Sequence, residues 1–352
     1  RCLKYPDNAN NYKPIGLLQV YGENDSLDFG LMTGSYEKNM SGGVLRKNVG
    51  SITDEINLDN GIFLTAPADG SIVKTLDLLR VYGYSHSSSG YRDSASGGDN
   101  CDYDFNRQPT GAWADGQCSN WGNPQSEIFL ESLRYFAGQT ATSDFAVSGD
   151  DNISGLGTAT WVDPLSSDTY CTSLNVINFN ASIASFDNDQ LDGVSDLNTS
   201  SSATTLTDIV GSGEGIHGNN WFVGENGDVA STDATYQICT SKTVDSLGEV
   251  EGTCPEAPKS DGSFQIAGLA HYAYTNDIRD DLKVEQNVKT YGVALAAAVP
   301  KIIVPLATST NPDRQVTILP ACRDHRMTPA GSCSIVNFVV IDQGSTEGSY
   351  YV

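Results

Sequence analysis

The sequence predicts an α/β fold with flanking helices, long loop insertions and β-rich ends. Three observations carry that expectation. Helix-like and strand-like stretches alternate between about residues 70 and 295, and the segments on either side read as strands. Leu174, Val176, Ile177 and Phe179 form a short β-branched and aromatic run, broken only by asparagines, with the length of a buried strand. In an α/β sheet, sites form on the loops leaving the carboxyl ends of such strands. This strand exits into a loop carrying Asp187, Asp189, Asp192 and Asp196 around Gly193.

Taken in order, residues 15–21, 27–36 and 43–49 read as strands separated by the turn-forming GEND and EKNMSGG. GSIVKTLDLLRVY at 70–82 places Ile72, Val73, Leu76 and Leu79 on one helical face. A polar insert at about 84–122 follows, with too few apolar residues to pack by itself. The clearest helix starts at Pro124, carries Ile128, Phe129, Leu133 and Phe136 as its stripe, and stops at Gly138. It is expected to pack on a central sheet containing the 174–179 strand. Residues 139–170 read as loop, 203–211 as a short helix, and 264–295 as a helix, an acidic turn and a strand. KIIVPLA, QVTILP and SCSIVNFVVID supply further strands. The expected division is an α/β domain over 1–300 and a β-rich segment over 301–352 that reads as the start of a second domain. No repeat of fixed period is present, which argues against a solenoid or a complete propeller.

Lys and Arg number 20 against 44 Asp and Glu, a net charge of −24 that repels nucleic acid and anionic membranes. No segment reaches transmembrane length, and no signal peptide is recognisable. The abrupt RCLKYPD start and SYYV end read as a processed or trimmed product.

The eight cysteines are an even set. Short spacings suggest the pairs Cys101–Cys118, Cys239–Cys254 and Cys322–Cys333, which fits an oxidising compartment better than metal ligation. Cys2 and Cys171 are left to each other, or Cys2 belongs to a partner chain. No C-x-x-C occurs, so structural zinc is poorly supported and covalent haem has no attachment motif.

GEGIHG at 213–218 matches G-x-G-x-x-G, but turn-rich NNWFVGENGD follows where a dinucleotide site needs a helix, so no nucleotide is expected. The four histidines lie far apart, with no H-E-x-x-H and no G-x-S-x-G. The remaining candidate is the acidic exit loop. Asp187, Asp189, Asp192 and Asp196 offer hard oxygen ligands beside a glycine turn, as calcium requires. The EF-hand spacing fails by one residue and no glutamate closes the loop, so a solvated acidic face is the competing reading.

Several stretches resemble the PilY1 family of type IV pilus tip-associated proteins. They are YKPIGLLQVYG at 12–22, FGLMTGSY at 29–36, GGVLRKNVG at 42–50, EIN at 55–57, NPQSEIFLESLRYFAG at 123–138, and HYAYTNDIRDDL with QNVKTYGVAL within 271–295. Their order resembles the region that precedes the family's C-terminal β-propeller. The resemblance implies a von Willebrand A-like α/β domain in a non-enzymatic protein exported through the periplasm to the cell surface. The implied role is adhesion or pilus assembly, with pilins, other surface proteins, and host or abiotic surfaces as partners. The family's propeller, its calcium loop and a D-x-S-x-S metal motif are absent, so functions tied to them do not carry over. Two alternatives stay open: a structural subunit of an extracellular filament, and a secreted hydrolase with a perturbed acid or base in a concave pocket.

Overall fold

The computed structural model describes residues 1–7, 12–64, 70–80, 84–85, 90–91, 114–116, 119–120, 122–150, 152–181, 183–227, 239–252, 254, 261–295, 302–306, 314–318, 344–346 and 349–351. Along the chain the elements are β1 (Cys2–Lys4), β2 (Tyr12–Pro14), α1 (Leu17–Gly22), β3 (Phe29–Thr33), β4 (Val44–Gly50), β5 (Ile56–Asn57), β6 (Ile62–Phe63), α2 (Ile72–Leu78), β7 (Tyr84–Ser85), β8 (Gly90–Tyr91) and α3 (Gln125–Phe136). After α3 come β9 (Leu174–Asn180), α4 (Ala203–Gly213), β10 (Asn219–Val223), β11 (Thr240–Val244), α5 (Gln265–Thr275), β12 (Val288–Ala294), β13 (Ile302–Pro305), β14 (Gln315–Ile318), β15 (Gly344–Thr346) and β16 (Ser349–Tyr351).

Helices and strands do mix as an α/β chain should. The von Willebrand A-like central sheet is not what the described residues build. Among them every sheet has two strands, and only β9 and β12 pair in parallel, from Leu174 opposite Val288 to Asn180 opposite Ala294. The strands expected at 27–36 and 43–49 form and pair antiparallel as β3 and β4, whereas the 15–21 stretch, also expected as a strand, is the helix α1. There the Gly16 amide donates to the Gln19 side chain at 2.7 Å, which meets an amide that helix initiation leaves unpaired. Leu17 and Tyr21 then share one face, exposed, at i and i+4.

Helix α3 forms where the sequence placed it. Pro124 precedes its first turn, and Gly138, with φ +71°, takes the left-handed position that ends it. It is buried on nearly every side: Phe129, Leu130, Leu133, Tyr135 and Phe136 are enclosed, and so are Glu127, Glu131 and Arg134. The helix touches α5, the 3-10 turn Asp192–Leu197, β9 and β3, and so sits at the centre of the main core. That core also takes in Leu174, Leu191, Val194, Leu197, Leu206, Leu269, Ile278 and Val288. Helices α4 and α5 approach so closely that a Cβ on Gly268 would lie 2.4 Å from the Thr207 amide nitrogen. No larger residue fits there.

The loop over 139–170 is irregular, as expected, but it is tied down from inside. Asp150 is fully buried, paired with an equally buried Arg46 at 2.5 Å, and it accepts from the backbone amides of Tyr36 and Glu37. The disulfide Cys239–Cys254 is formed, with Cα atoms 5.7 Å apart. Cys101, Cys118, Cys322 and Cys333 lie outside the described residues, as does most of the 84–122 insert. Cys2 and Cys171 do not pair: both are exposed free thiols. The described parts of 301–352 are two antiparallel hairpins, β13–β14 and β15–β16.

Candidate functional site

The four aspartates of the exit loop do not share one site. Phe186, at φ 52°, turns the chain so that Asp187 points into the core, where it is fully buried. Its Oδ2 accepts from the Ser126 hydroxyl at 2.7 Å and the Ser126 amide at 3.3 Å, and its Oδ1 accepts from the Ser263 amide at 2.7 Å. Ser126 opens α3 and Ser263 precedes α5, so one carboxylate holds the amino ends of two helices. Its charge suits the positive end of each helix dipole. Burial pushes the Asp187 carboxyl up, and the hydrogen bonds from Ser126 and Ser263 pull against it.

Asp196 serves a different group. It accepts from Arg134 Nε at 2.8 Å, and the same guanidinium pairs with Glu131. Ser126 and Arg134 are eight residues apart on α3, about 12 Å along the helix axis. Asp192 is exposed at the start of the 3-10 turn, where its carbonyl accepts from the Ser195 hydroxyl. Among the described residues no three His, Cys, Asp or Glu side chains converge as a metal cluster.

The remaining aspartate, Asp189, meets a residue that the sequence reading passed over. Glu127, in the first turn of α3, is completely buried. Its Oε2 accepts from the Gly42 amide at 2.5 Å, while its Oε1 is enclosed with no donor. Asp189 stands beside it, exposed on the rim. Two carboxyls can hydrogen-bond only when one holds a proton. Burial above all, then the charge of Asp189 and of Asp187, pushes Glu127 up to about 9 against the opposing Gly42 hydrogen bond. The loop opposite is fixed by Asp115, which accepts from the Met40 amide and the Ser41 hydroxyl, and by Gln190, which donates to Ser41.

This arrangement sets a pH dependence. The folded chain keeps the Glu127 proton up to about pH 9, whereas an unfolded glutamate loses it near 4.5. Between those values the folded state binds more protons, so stability falls as pH rises and levels off above the window. The groups facing Glu127 are Asp187, Asp189 and the Gly42 amide; Asp187, also raised, acts with the same sign. Urea unfolding midpoints should therefore drop between about pH 6 and about pH 9, and the drop should shrink in Glu127→Gln. A parent protein whose midpoint rises over that range would contradict the assignment.

One Ser, His and Asp constellation occurs among the described residues. His217 Nδ1 lies 3.1 Å from the Ser212 hydroxyl, and His217 Nε2 lies 3.4 Å from Asp208. The Leu247 amide donates to Nε2 at 3.1 Å, which leaves the ring proton on Nδ1. The nitrogen facing the serine is thus a donor, the wrong polarity for a base that activates it. GEGIHG itself sits after helix α4 and before strand β10, the reverse of a dinucleotide-binding turn. A groove of about 320 Å³ beside Leu45, Thr142, Phe145 and Trp161 contains neither Glu127 nor His217.

The carboxyl ends of the parallel pair present the other conspicuous surface. Leu174, Val176, Val288 and Thr290 face the core, and the opposite register positions face outward. Ile177, expected to be buried, is 71% exposed opposite Tyr291; Phe179 stands opposite Val293; and Leu295 continues the same exposed apolar face.

Comparison with known proteins places this arrangement. The family model for the second domain of PilY1 homologs matches residues 29–273. A type IV pilus biogenesis factor PilY1 homolog from Xylella fastidiosa (strain Temecula1 / ATCC 700964) is 31% identical over 355 residues, covering 92% of this chain. The chain spans 22% of that relative's length. No solved structure matches. The matched span contains α3, β9, the acidic exit loop and nearly all of α5, which are the parts that build the Glu127 and Asp187 sites, and the chain accordingly belongs to the PilY1 homolog family.

Proposed function

We propose that this chain is a non-enzymatic part of a type IV pilus system, acting at the cell surface in pilus assembly or adhesion through the outer face of β9 and β12. The exposed apolar face of that pair carries the reading. Parallel strands are normally covered on both faces and flanked by further strands. Here Ile177, Phe179, Tyr291, Val293 and Leu295 are exposed, and among the described residues neither strand has a second partner. An apolar face beside open strand edges suits docking of another protein, by burial of the face or by addition of a strand. The name of the relative, a pilus biogenesis factor, makes a pilus protein the fitting occupant. The Cys239–Cys254 disulfide suits an oxidising compartment such as the periplasm or cell surface.

The test is made in the native full-length protein. A strain lacking it is complemented with the wild type or with a variant carrying Ile177→Asp and Tyr291→Asp, both exposed and so tolerable to the fold. The variant is expected to accumulate normally yet leave surface piliation and attachment at the level of the deletion strain. Wild-type piliation and attachment from the variant would overturn the reading.

A further inference from the structure

We infer that the groove between β4 and the 139–147 and 158–161 segments binds a neutral saccharide, with a pyranose ring against Trp161 and its hydroxyls held by Gln139, Thr158 and Thr160. Its volume of about 320 Å³ falls at the small end of the range for small-molecule sites, roughly 300–1,000 Å³. None of its residues belongs to the outer face of β9 and β12, so the site is separate from the proposed pilus-docking surface.

The walls are held in place by the fold. The Ala159 amide donates to the Leu45 carbonyl at 2.7 Å, and the Asn48 side-chain amide donates to the Thr160 carbonyl at 2.9 Å. The Val162 amide returns a bond to the Asn48 side chain at 2.9 Å, so residues 159–162 lie alongside β4. On the other wall the Thr142 hydroxyl donates to Glu131 at 2.9 Å. Phe145 is buried, its ring seated on Gly42, where no Cβ has room. Trp161 packs nearly perpendicular to Tyr135, with ring centroids 5.4 Å apart, which orients the indole before any ligand arrives.

The lining selects the ligand. None of the lining residues is charged, in a chain of net charge −24. A phosphate or carboxylate finds no cation there and meets the repulsion of the whole chain, while a cation finds no carboxylate in the lining. The ligand is therefore neutral. Two kinds of surface meet in the groove. Leu45, Phe145 and Trp161 are apolar, whereas Gln139, Thr158 and Thr160 are exposed, with side chains that make no hydrogen bond to the described residues. A lipid tail or an apolar peptide would cover those polar groups and leave them unpaired. A sugar matches both surfaces. The C–H face of a pyranose carries slight positive charge and packs on the negative face of an aromatic ring, while its hydroxyls donate to and accept from amide and hydroxyl side chains.

The experiment is saturation-transfer difference NMR on the 352-residue chain with three neutral disaccharides, maltose, lactose and chitobiose. Sialyllactose serves as the charged counterpart of lactose, and a blocked tetrapeptide of alanine, valine and leucine as the apolar alternative. At least one neutral disaccharide is expected to bind saturably in the millimolar range, with its ring C–H protons receiving the most saturation. The double variant Gln139→Ala with Thr158→Val should bind it about tenfold more weakly at unchanged Tm, the loss of two hydrogen bonds from side chains that the fold does not use. Trp161→Leu should abolish binding, and the double variant keeps the test decisive where that substitution also loosens the packing on Tyr135. Binding of none of the three sugars at tens of millimolar would overturn the proposal, as would undiminished binding by the double variant. Tighter binding of sialyllactose than of lactose, or of the peptide than of any sugar, would overturn it too.

Discussion

Asp187→Ala should destabilise the chain by about 3–5 kcal/mol. The substitution removes the acceptor for the Ser126 hydroxyl, the Ser126 amide and the Ser263 amide, all in a site from which water is excluded. Each stranded donor costs on the order of 1–3 kcal/mol, less whatever the hydroxyl recovers by rotating. Asp187→Asn should do no better, because either oxygen replaced by NH₂ would confront a backbone N–H. Equilibrium urea unfolding measures the loss. An alanine variant that unfolds within about 1 kcal/mol of the parent would show that this carboxylate does not hold α3 and α5 together.

Truncation at the centre of α3 should cost as much by a different route. Leu133 is fully buried and Phe129 nearly so, both in the main core. Leu133→Ala should lose about 2–5 kcal/mol and Phe129→Ala about 3–5 kcal/mol, the sum of lost apolar transfer and an incompletely collapsed cavity. Conservative Leu133→Met should recover most of the loss, since it keeps the volume. If both alanine variants unfold like the parent, α3 is peripheral.

The legible parts of this chain were those where local chemistry and burial agree. Helix α3 has a proline start, a glycine stop and a helical apolar period, and all three proved to be structural. The run at 174–179 was rightly a strand, but its facing was misjudged. Leu174 and Val176 face the core, so the two-residue period turns Asn178 and Asn180 inward, where the Asn123 side-chain amide donates to Asn180 at 3.0 Å, and leaves Ile177 and Phe179 outside. Residues 15–21 misled because Leu17, Leu18, Val20 and Tyr21 suit either period; the Gln19 side chain bonded to Gly16 decides for helix. The site was half legible. Spacing marked Asp187 and Asp189 but could not tell which way each turned, and Glu127 looked like an ordinary surface glutamate. No signal in the sequence marked it: Glu127, Glu131 and Arg134 fall on one side of α3 and read as a solvated face, and only the structure shows all three buried.

The parallel pairing of β9 with β12 also fixes an order of events in folding. Gln286 reaches back 116 residues to the Tyr170 carbonyl, and the two strands meet just beyond that contact. A chain emerging from its amino end cannot secure residues 174–180 until residues 288–294 have been released. During that interval a strand bearing Ile177 and Phe179 is unpaired on both edges, which makes it the segment most exposed to self-association. Closing so long a loop lowers the folding rate more than the final stability. Holding factors that shield apolar strands should therefore raise the share of this protein that reaches its native state.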